Sequence, residues 1–224
     1  MTEAQPLTIA IDGTRSVSAL WLAPPAARAA LVLAHGAGAG MTHKGMVGTA
    51  EGLATRGIAT LRFQFPYMEQ GGKRPDPPAL AQQAVRAAVA EAGRRAGALP
   101  LFAGGRSFGA RMTSQAQALS PLPDVRGLVF LAFPLHPAGK PSTERAAHLR
   151  EVGVPMLFLQ GTHDTLAELD LLRPVVAALG DPADLALFED ADHSFHVPAR
   201  TGRRDAEVLA EILDAAAGWM TARS

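Results

Sequence analysis

The chain has 224 residues, of which 48% are hydrophobic, and its 21 basic side chains balance 21 acidic ones. This length suits one domain with a sizeable core, so we expect a single domain over residues 1–224. Zero net charge argues against a protein that binds nucleic acid through a basic face. The lack of cysteine excludes disulfides, thiolate metal sites and a cysteine nucleophile.

The first residues of the chain do not combine a basic segment with a following apolar stretch, so they do not resemble a secretory signal. No apolar run reaches the roughly 18 residues of a membrane span, and the best one, Leu128 to Phe133, ends at Pro134. We therefore expect a soluble, cytoplasmic protein without a membrane partner. The sequence leaves the oligomeric state open.

Two weakly alternating segments, 7–11 and 17–22, flank Asp12-Gly13 and predict an antiparallel hairpin. Six short apolar runs follow, as expected of strands that helices cover on both faces: 30–34, 58–63, 99–103, 127–133, 154–159 and 184–188. Between them lie segments with helical periodicity: about 45–56, 78–97, 108–119, 165–180 and 202–221. This alternation predicts an α/β protein, a three-layer α/β/α sandwich with a mostly parallel sheet of about eight strands.

Two segments interrupt this alternation. The Pro/Gly-rich stretch 70–78 is predicted to be a loop rather than a domain boundary, because strands and helices alternate on both sides of it. The segment 134–155 contains four prolines and is predicted to include one short helix near 143–151. It follows a predicted parallel strand, where a cap over a site would lie, but it is too short for a lid domain. We therefore expect a minimal cap.

The most specific motif is Gly105-Arg106-Ser107-Phe108-Gly109, directly after an apolar run and directly before a predicted helix. A nucleophile at the apex of such a strand-to-helix turn has a strained backbone, and its neighbours two residues away must be small. Both of those neighbours are glycine here. The helix N-terminus also provides free N–H groups beside the serine. The motif predicts that Ser107 is a nucleophile, the alternative being a glycine-rich turn that contains a serine by chance.

A serine nucleophile needs a base and an orienting acid, which follow it in the order Asp or Glu, then His. Asp164 follows the next-to-last predicted strand, and His193 follows the last one. Because the carboxyl ends of parallel strands meet at one edge of a sheet, we expect both to lie near Ser107. His193 would take the serine proton, and Asp164 would orient the imidazole. His196 is the alternative base.

The loop His35-Gly36-Ala37-Gly38-Ala39-Gly40 follows the first predicted parallel strand. Its small residues allow a backbone N–H to approach a substrate oxygen, so we expect Ala37 and Phe108 to form an oxyanion hole through their N–H groups. The loop's glycine spacing does not fit a dinucleotide-binding motif, and Gly71-Gly72-Lys73-Arg74 lacks the phosphate-loop pattern. His193 and His196 lack further residues for a recognisable metal ligand set. We therefore expect neither a cofactor nor a metal.

Together these motifs resemble the α/β-hydrolase superfamily, and within it the small dienelactone-hydrolase-like group of predicted serine hydrolases. The resemblance spans about residues 30 to 197 and rests on these strings: LVLAHGAGAGM, LRFQFPYME, GGRSFGAR, VFLAFPLHPAGKP, LFLQGTHD and ADHSF. It implies the α/β-hydrolase fold, with Ser107 as nucleophile, Asp164 as acid, His193 as base and oxyanion donors near Ala37 and Phe108. Dienelactone hydrolase itself uses a cysteine nucleophile, so the serine here favours an ordinary ester or thioester.

The sequence thus predicts a serine hydrolase that cleaves a small carboxylic ester or thioester through an acyl-enzyme. One alternative is a non-catalytic module that keeps the fold for binding, although a scaffold has no physical need for the full set of catalytic residue types. The other is a peptidase of the same superfamily, which the lack of a lid or propeller domain disfavours. Pocket walls are expected at 65–78 and 135–141, and three side chains are candidates for either substrate contact or packing: Arg62, Tyr67 and Arg106.

Overall fold

A computed structural model describes residues 3–224 of the chain. Within these residues one sheet of eight strands forms: β1 (Gln5–Ala10), β2 (Ser16–Leu22), β3 (Ala29–Ala34), β4 (Ile58–Phe63), β5 (Leu101–Arg106), β6 (Val125–Leu131), β7 (Met156–Gly161) and β8 (Ala183–Phe188). The strand order is β1-β2-β4-β3-β5-β6-β7-β8. β1 and β2 form an antiparallel hairpin, β2 pairs antiparallel with β4, and β3 to β8 are parallel to one another. The predicted fold is confirmed.

The described residues contain six α-helices: α1 (Lys44–Ala54), α2 (Pro66–Glu69), α3 (Pro78–Ala96), α4 (Phe108–Leu119), α5 (Leu169–Leu179) and α6 (Asp205–Thr221). These residues also contain two 3₁₀ helices, Glu144–Glu151 and Ala199–Thr201. None of the helices in residues 3–224 is both long enough and apolar enough to cross a bilayer.

The sheet separates two hydrophobic clusters, one on each face. Ala30 and Val32 of β3 belong to the cluster that α3, α4 and α5 cover. Leu31 and Leu33, which point to the other face, belong to the cluster that α1 and α6 cover. Because side chains alternate along a strand, a strand covered on both faces must be apolar at every position. This explains why the predicted strands are continuous apolar runs.

Several element boundaries differ from the predicted ones by one to four residues. The strand predicted at 127–133 ends at Leu131, because Ala132 adopts a left-handed conformation with φ of 55°. The helix predicted from 165 begins at Leu169, because the preceding residues form a turn around Asp164. The four-residue helix α2 was not predicted.

The strand order places a site at one edge of the sheet. After β3 the chain adds β4 on one side, then crosses back to add β5 on the other side of β3. Ligand sites of open α/β sheets lie at such a reversal, beyond the carboxyl ends of the strands. Ala34 pairs with Gly105 in the β3–β5 ladder, so the loops after these two strands begin side by side.

Truncation of a buried leucine tests the core of the fold. Leu128 of β6 is fully buried, whereas Leu119 at the end of α4 is 72% exposed. We expect Leu128→Ala to lower the free energy of unfolding in urea by about 2–5 kcal/mol, because it removes apolar contacts and leaves a cavity. The same substitution at Leu119 is the matched control, with a change within about 0.5 kcal/mol. Equal effects of the two substitutions would contradict the packing described here.

Candidate active site

Ser107 lies in a strained turn between β5 and α4. Its φ is 51° and its ψ is −112°, a conformation that residues other than glycine rarely adopt. Its N–H donates to the carbonyl oxygen of Leu131 over 3.0 Å, which fixes the turn to the end of β6. The turn projects Ser107 beyond the carboxyl edge of the sheet.

Three glycines make this turn possible. A Cβ atom added to Gly105 or to Gly109 would lie 2.4 Å from the carbonyl oxygen of Ala34. A Cβ atom added to Gly104 would lie 1.9 Å from the carbonyl oxygen of Val129. The turn therefore packs backbone against backbone on β3 and β6, and any side chain at these positions would push it away.

The structure brings Ser107, His193 and Asp164 together in one chain of hydrogen bonds. Nε2 of His193 lies 2.8 Å from Oγ of Ser107, and Nδ1 lies 2.7 Å from Oδ2 of Asp164. A carboxylate only accepts hydrogen bonds, so Nδ1 carries the proton. Nε2 of the neutral ring is then free to accept the serine proton.

His196, the alternative base, lies elsewhere. Its Nδ1 is 2.9 Å from Oδ2 of Asp205, at the start of α6. This contact raises the pKa of His196, chiefly through the hydrogen bond to Asp205. Of the two histidines, the structure places His193 against Ser107.

Asp164 is buried, with 2% of its surface exposed, and its oxygens have further donors. Oδ1 accepts the N–H of Leu166 over 2.8 Å, and Oδ2 accepts the side-chain amide of Gln160. Gln160 was not among the predicted site residues. Its signal in the sequence is a polar side chain in the otherwise apolar run of β7.

The loop after β3 is tied down by two side chains. Nε2 of buried His35 accepts the N–H of Phe65 over 3.0 Å, so Nδ1 carries the proton and donates to the carbonyl oxygen of Gly36 over 2.7 Å. Burial lowers the pKa of His35 to about 4. The hydroxyl of Tyr67 donates to the carbonyl oxygen of Ala37 over 2.7 Å, and burial raises its pKa to about 12. Both side chains therefore keep these protonation states at neutral pH.

This loop packs directly against Ser107. A Cβ atom added to Gly36 would lie 3.8 Å from Cβ of Ser107. The N–H of Phe108, the first residue of α4, has no partner within the helix. Within residues 3–224, neither this N–H nor that of Ala37 donates to another residue. Two unused N–H donors thus belong to segments that flank Ser107.

An open cleft of about 570 Å³ leads to Ser107. It is lined by the loops after β3, β7 and β8, the turn before α4 and the starts of α1 and α6: Gly36, Ala37, Gly38, Ala39, His43, Lys44, Gly45, Met46, Arg106, Ser107, Leu166, His193, Ser194, His196 and Asp205. The predicted walls at 65–78 and 135–141 contribute none of these residues, so that prediction was wrong. Phe65 and Tyr67 are instead buried beneath the loop after β3.

The segment 134–155 does not cover the cleft. Its 3₁₀ helix packs against α4, where Nε2 of His148 lies 2.8 Å from Oγ of Ser114. Of the three candidate substrate contacts, only Arg106 lines the cleft. Arg62 is buried and donates to the carbonyl oxygen of Met41 over 3.0 Å.

Residues 27–221 match the family model described as an alpha/beta hydrolase domain. The chain therefore belongs to the α/β-hydrolase superfamily, a family of hydrolases.

Solved structures show the same fold at low sequence identity. A dienelactone hydrolase from Anabaena variabilis superposes with a TM-score of 0.79 at 19% identity, covering 99% of this chain and 98% of that one. An alpha-beta serine hydrolase homologue from Coxiella burnetii gives 0.76 at 20%, covering 96% and 98%. An α/β serine hydrolase without lid from Xanthomonas campestris gives 0.74 at 21%, covering 98% and 96%. The fold is thus dienelactone-hydrolase-like.

Substitution of a turn glycine tests the close packing around Ser107. We expect Gly109→Ala to lower the free energy of unfolding by at least about 2 kcal/mol, because the added methyl group meets backbone atoms that cannot turn aside. Gly218→Ala in α6 is the matched control, since a Cβ atom there has nothing within 4 Å. In an open helical position the same change stabilises by up to about 1 kcal/mol. Urea unfolding of both variants measures the difference, and a neutral Gly109→Ala would contradict the packing.

The buried histidine of the loop after β3 predicts a pH dependence of stability. Since burial lowers the pKa of His35 to about 4, the unfolded chain binds a proton between about pH 6.5 and 4 that the folded chain does not. The free energy of unfolding therefore falls as the pH falls through this range. We expect His35 to account for a decrease of about 1–2 kcal/mol between about pH 7 and pH 5 in urea unfolding.

The variant His35→Gln should lose this part of the pH dependence, whatever its stability at neutral pH. His163→Gln, at a histidine whose side chain is 54% exposed, is the matched control and should keep the full decrease. Identical pH slopes for His35→Gln and the unmodified chain would show that His35 is not held neutral in the fold.

Proposed function

We propose that this protein is a serine hydrolase that cleaves a small carboxylic ester or thioester through an acyl-enzyme. The observation that carries the proposal is the continuous hydrogen-bonded chain from Asp164 through His193 to Ser107, at the mouth of an open cleft. The superfamily supports hydrolysis as the class of reaction.

In the first half of the reaction, Oγ of Ser107 bonds to the carbonyl carbon of the ester while its proton passes to Nε2 of His193. The tetrahedral intermediate carries its negative charge on the former carbonyl oxygen. When the intermediate collapses, the bond to the leaving group breaks, and His193 returns the proton to the departing oxygen or sulfur. The acyl group remains bound to Ser107.

In the second half, water attacks the acyl carbon and gives a proton to Nε2 of His193. Collapse of the second intermediate breaks the bond to Oγ and returns the proton to Ser107. The acyl group leaves as a carboxylic acid. Asp164 holds Nδ1 of the ring protonated through both halves and stabilises the imidazolium that forms twice.

The unused N–H groups of Ala37 and Phe108 are proposed to bind the oxyanion. Donors of this kind, held in place before the reaction, typically contribute about 2.7–4 kcal/mol each to stabilisation of the transition state. The ties from His35 and Tyr67 support this role, because they hold the Ala37 segment without occupying its N–H. No resident cofactor enters these steps.

Two observations disfavour the alternative functions, a binding module and a peptidase. A binding module of the same fold would not require a buried carboxylate, a correctly oriented imidazole and a strained serine in one hydrogen-bonded chain. A peptidase would need contacts that hold an extended chain, and among the described residues the cleft is lined by loops and helix ends without an edge strand to pair with one. The first observation favours an enzyme, and the second favours a small-molecule substrate.

Removal of the nucleophile tests the proposal. In a panel of 4-nitrophenyl and thiol esters with short acyl chains, we expect Ser107→Ala to reduce kcat/KM by at least about a thousandfold, since nucleophile, base and acid act as a unit. Ser120→Ala, at an exposed serine just after α4, is the matched control and should retain full activity. Equal rates for Ser107→Ala and the unmodified chain would contradict the proposal, and hydrolysis of peptides but no ester would favour the peptidase.

A further inference from the structure

Two cationic side chains line the cleft beside Ser107 without an acidic partner. They are Lys44, the first residue of α1, and Arg106, which precedes the nucleophile. Every ion pair that a lysine or arginine makes within 4.0 Å in residues 3–224 involves other residues. The reaction as proposed above uses neither cation.

The guanidinium of Arg106 is held in a fixed place. Its Nη2 reaches the carbonyl oxygen of His193 over 3.4 Å, and its Cζ lies 5.6 Å from the ring centroid of Phe195. A Cβ atom added to Gly45 would lie 3.4 Å from Nη1, so the group spans the space between the start of α1 and the loop that carries His193. Among the described residues this one long contact is the only hydrogen bond of its five N–H donors.

The carboxylates nearby already have donors of their own. Asp205, the one acidic residue that lines the cleft among those described, accepts the N–H of Val197 and contacts His196. Asp192 accepts two backbone N–H groups, over 2.7 and 2.9 Å. Asp164 faces His193. Arg106 and Lys44 are therefore the groups in the cleft whose charge remains available to a ligand.

The position of these cations relative to His193 indicates which part of a substrate they meet. His193 must protonate the departing atom, so the leaving group has to lie on the His193 side of Ser107. Arg106 contacts the backbone of that same histidine. We propose that the leaving group of the substrate carries an anionic group, a carboxylate or a phosphate, which binds to Arg106 and Lys44.

This inference rests on the proposed function and adds a substrate class to it. Arginine forms paired, charge-assisted hydrogen bonds with both carboxylate and phosphate oxygens, and lysine adds a point charge. The products are a carboxylic acid and an alcohol or thiol that bears the anionic group. The oxygen or sulfur of that alcohol or thiol has taken the proton from His193.

Three acetyl esters with the same acyl group test the inference: those of 4-hydroxybenzoate, 4-hydroxyphenyl phosphate and 4-hydroxybenzamide. All three form the same acetyl-enzyme, so differences in kcat/KM arise from the leaving group. We expect the carboxylate or the phosphate ester to exceed the uncharged carboxamide ester by about tenfold or more. The comparison of the first two esters distinguishes carboxylate from phosphate as the preferred anion.

Substitution of each cation tests which residue causes the preference for an anionic leaving group. Arg106→Gln and Lys44→Gln should each reduce the anion-to-carboxamide ratio of kcat/KM severalfold, and Arg106→Lys should recover part of it. Arg126→Gln is the matched control, because Arg126 is exposed at the amino-terminal end of β6, opposite the site. If Arg106→Gln fails to fold, Lys44→Gln still tests the inference, since Lys44 is exposed.

The outcomes separate this inference from the function on which it rests. If no ester is hydrolysed, the proposed function and the inference both fail. If Ser107-dependent hydrolysis is found but the carboxamide ester is cleaved as fast as both anionic esters, only the inference fails. It also fails if both glutamine variants keep the anion preference. A preference for an anion on the acyl part, seen with the 4-nitrophenyl ester of succinate against that of pentanoate, would likewise overturn it.

Discussion

The site depends on how closely the turn at Ser107 approaches the end of β3. The carbonyl oxygen of Ala34 occupies the space that a side chain at Gly105 or Gly109 would need, so the turn and the strand touch mainly through backbone atoms. This contact fixes the position of a serine with positive φ, a conformation that costs of order 1–3 kcal/mol and needs support from its surroundings. It also sets the loop after β3 beside Ser107.

Buried hydrogen bonds hold the segments that surround this turn. His35 and Tyr67 hold the carbonyl oxygens of the loop after β3, while Gln160 and the N–H of Leu166 hold Asp164. Buried hydrogen bonds make a local structure rigid, because breaking one leaves an unsatisfied group in a medium of low dielectric constant. The chain from Asp164 to Ser107 is therefore supported at Asp164 and near Ser107, and the cleft opens beside His193.

Much of this arrangement could be predicted from the sequence, since it is encoded locally. The apolar run at 30–34 lies within β3, and the pattern G-x-S-x-G spans the end of β5 and the start of α4. The order of Ser107, Asp164 and His193 along the strands was enough to predict that they meet, because parallel strands bring their carboxyl ends together. His193 and His196 follow the same strand; the sequence favoured His193, and it is His193 that lies against Ser107.

The cleft walls could not be predicted, because they depend on how loops pack rather than on the pattern within any one of them. Tyr67 was a candidate for substrate contact, yet it is buried and serves the loop after β3. The start of α1, which was not singled out, forms one wall of the cleft. The sequence could not show that Arg106 lacks an acidic partner. That conclusion needs the structure, in which the nearby carboxylates of Asp192 and Asp205 accept hydrogen bonds from other groups.

The central claim, that this fold activates Ser107, is tested most directly by labelling with a fluorophosphonate followed by peptide mass spectrometry. A serine gains nucleophilicity only while a base is held against it, so folded protein should take up one phosphonate per chain, on the peptide that contains Ser107. Protein unfolded in urea should take up none. Three results would contradict the account: no labelling of the folded chain, labelling at another residue, or equal labelling of protein that was unfolded before the reagent was added.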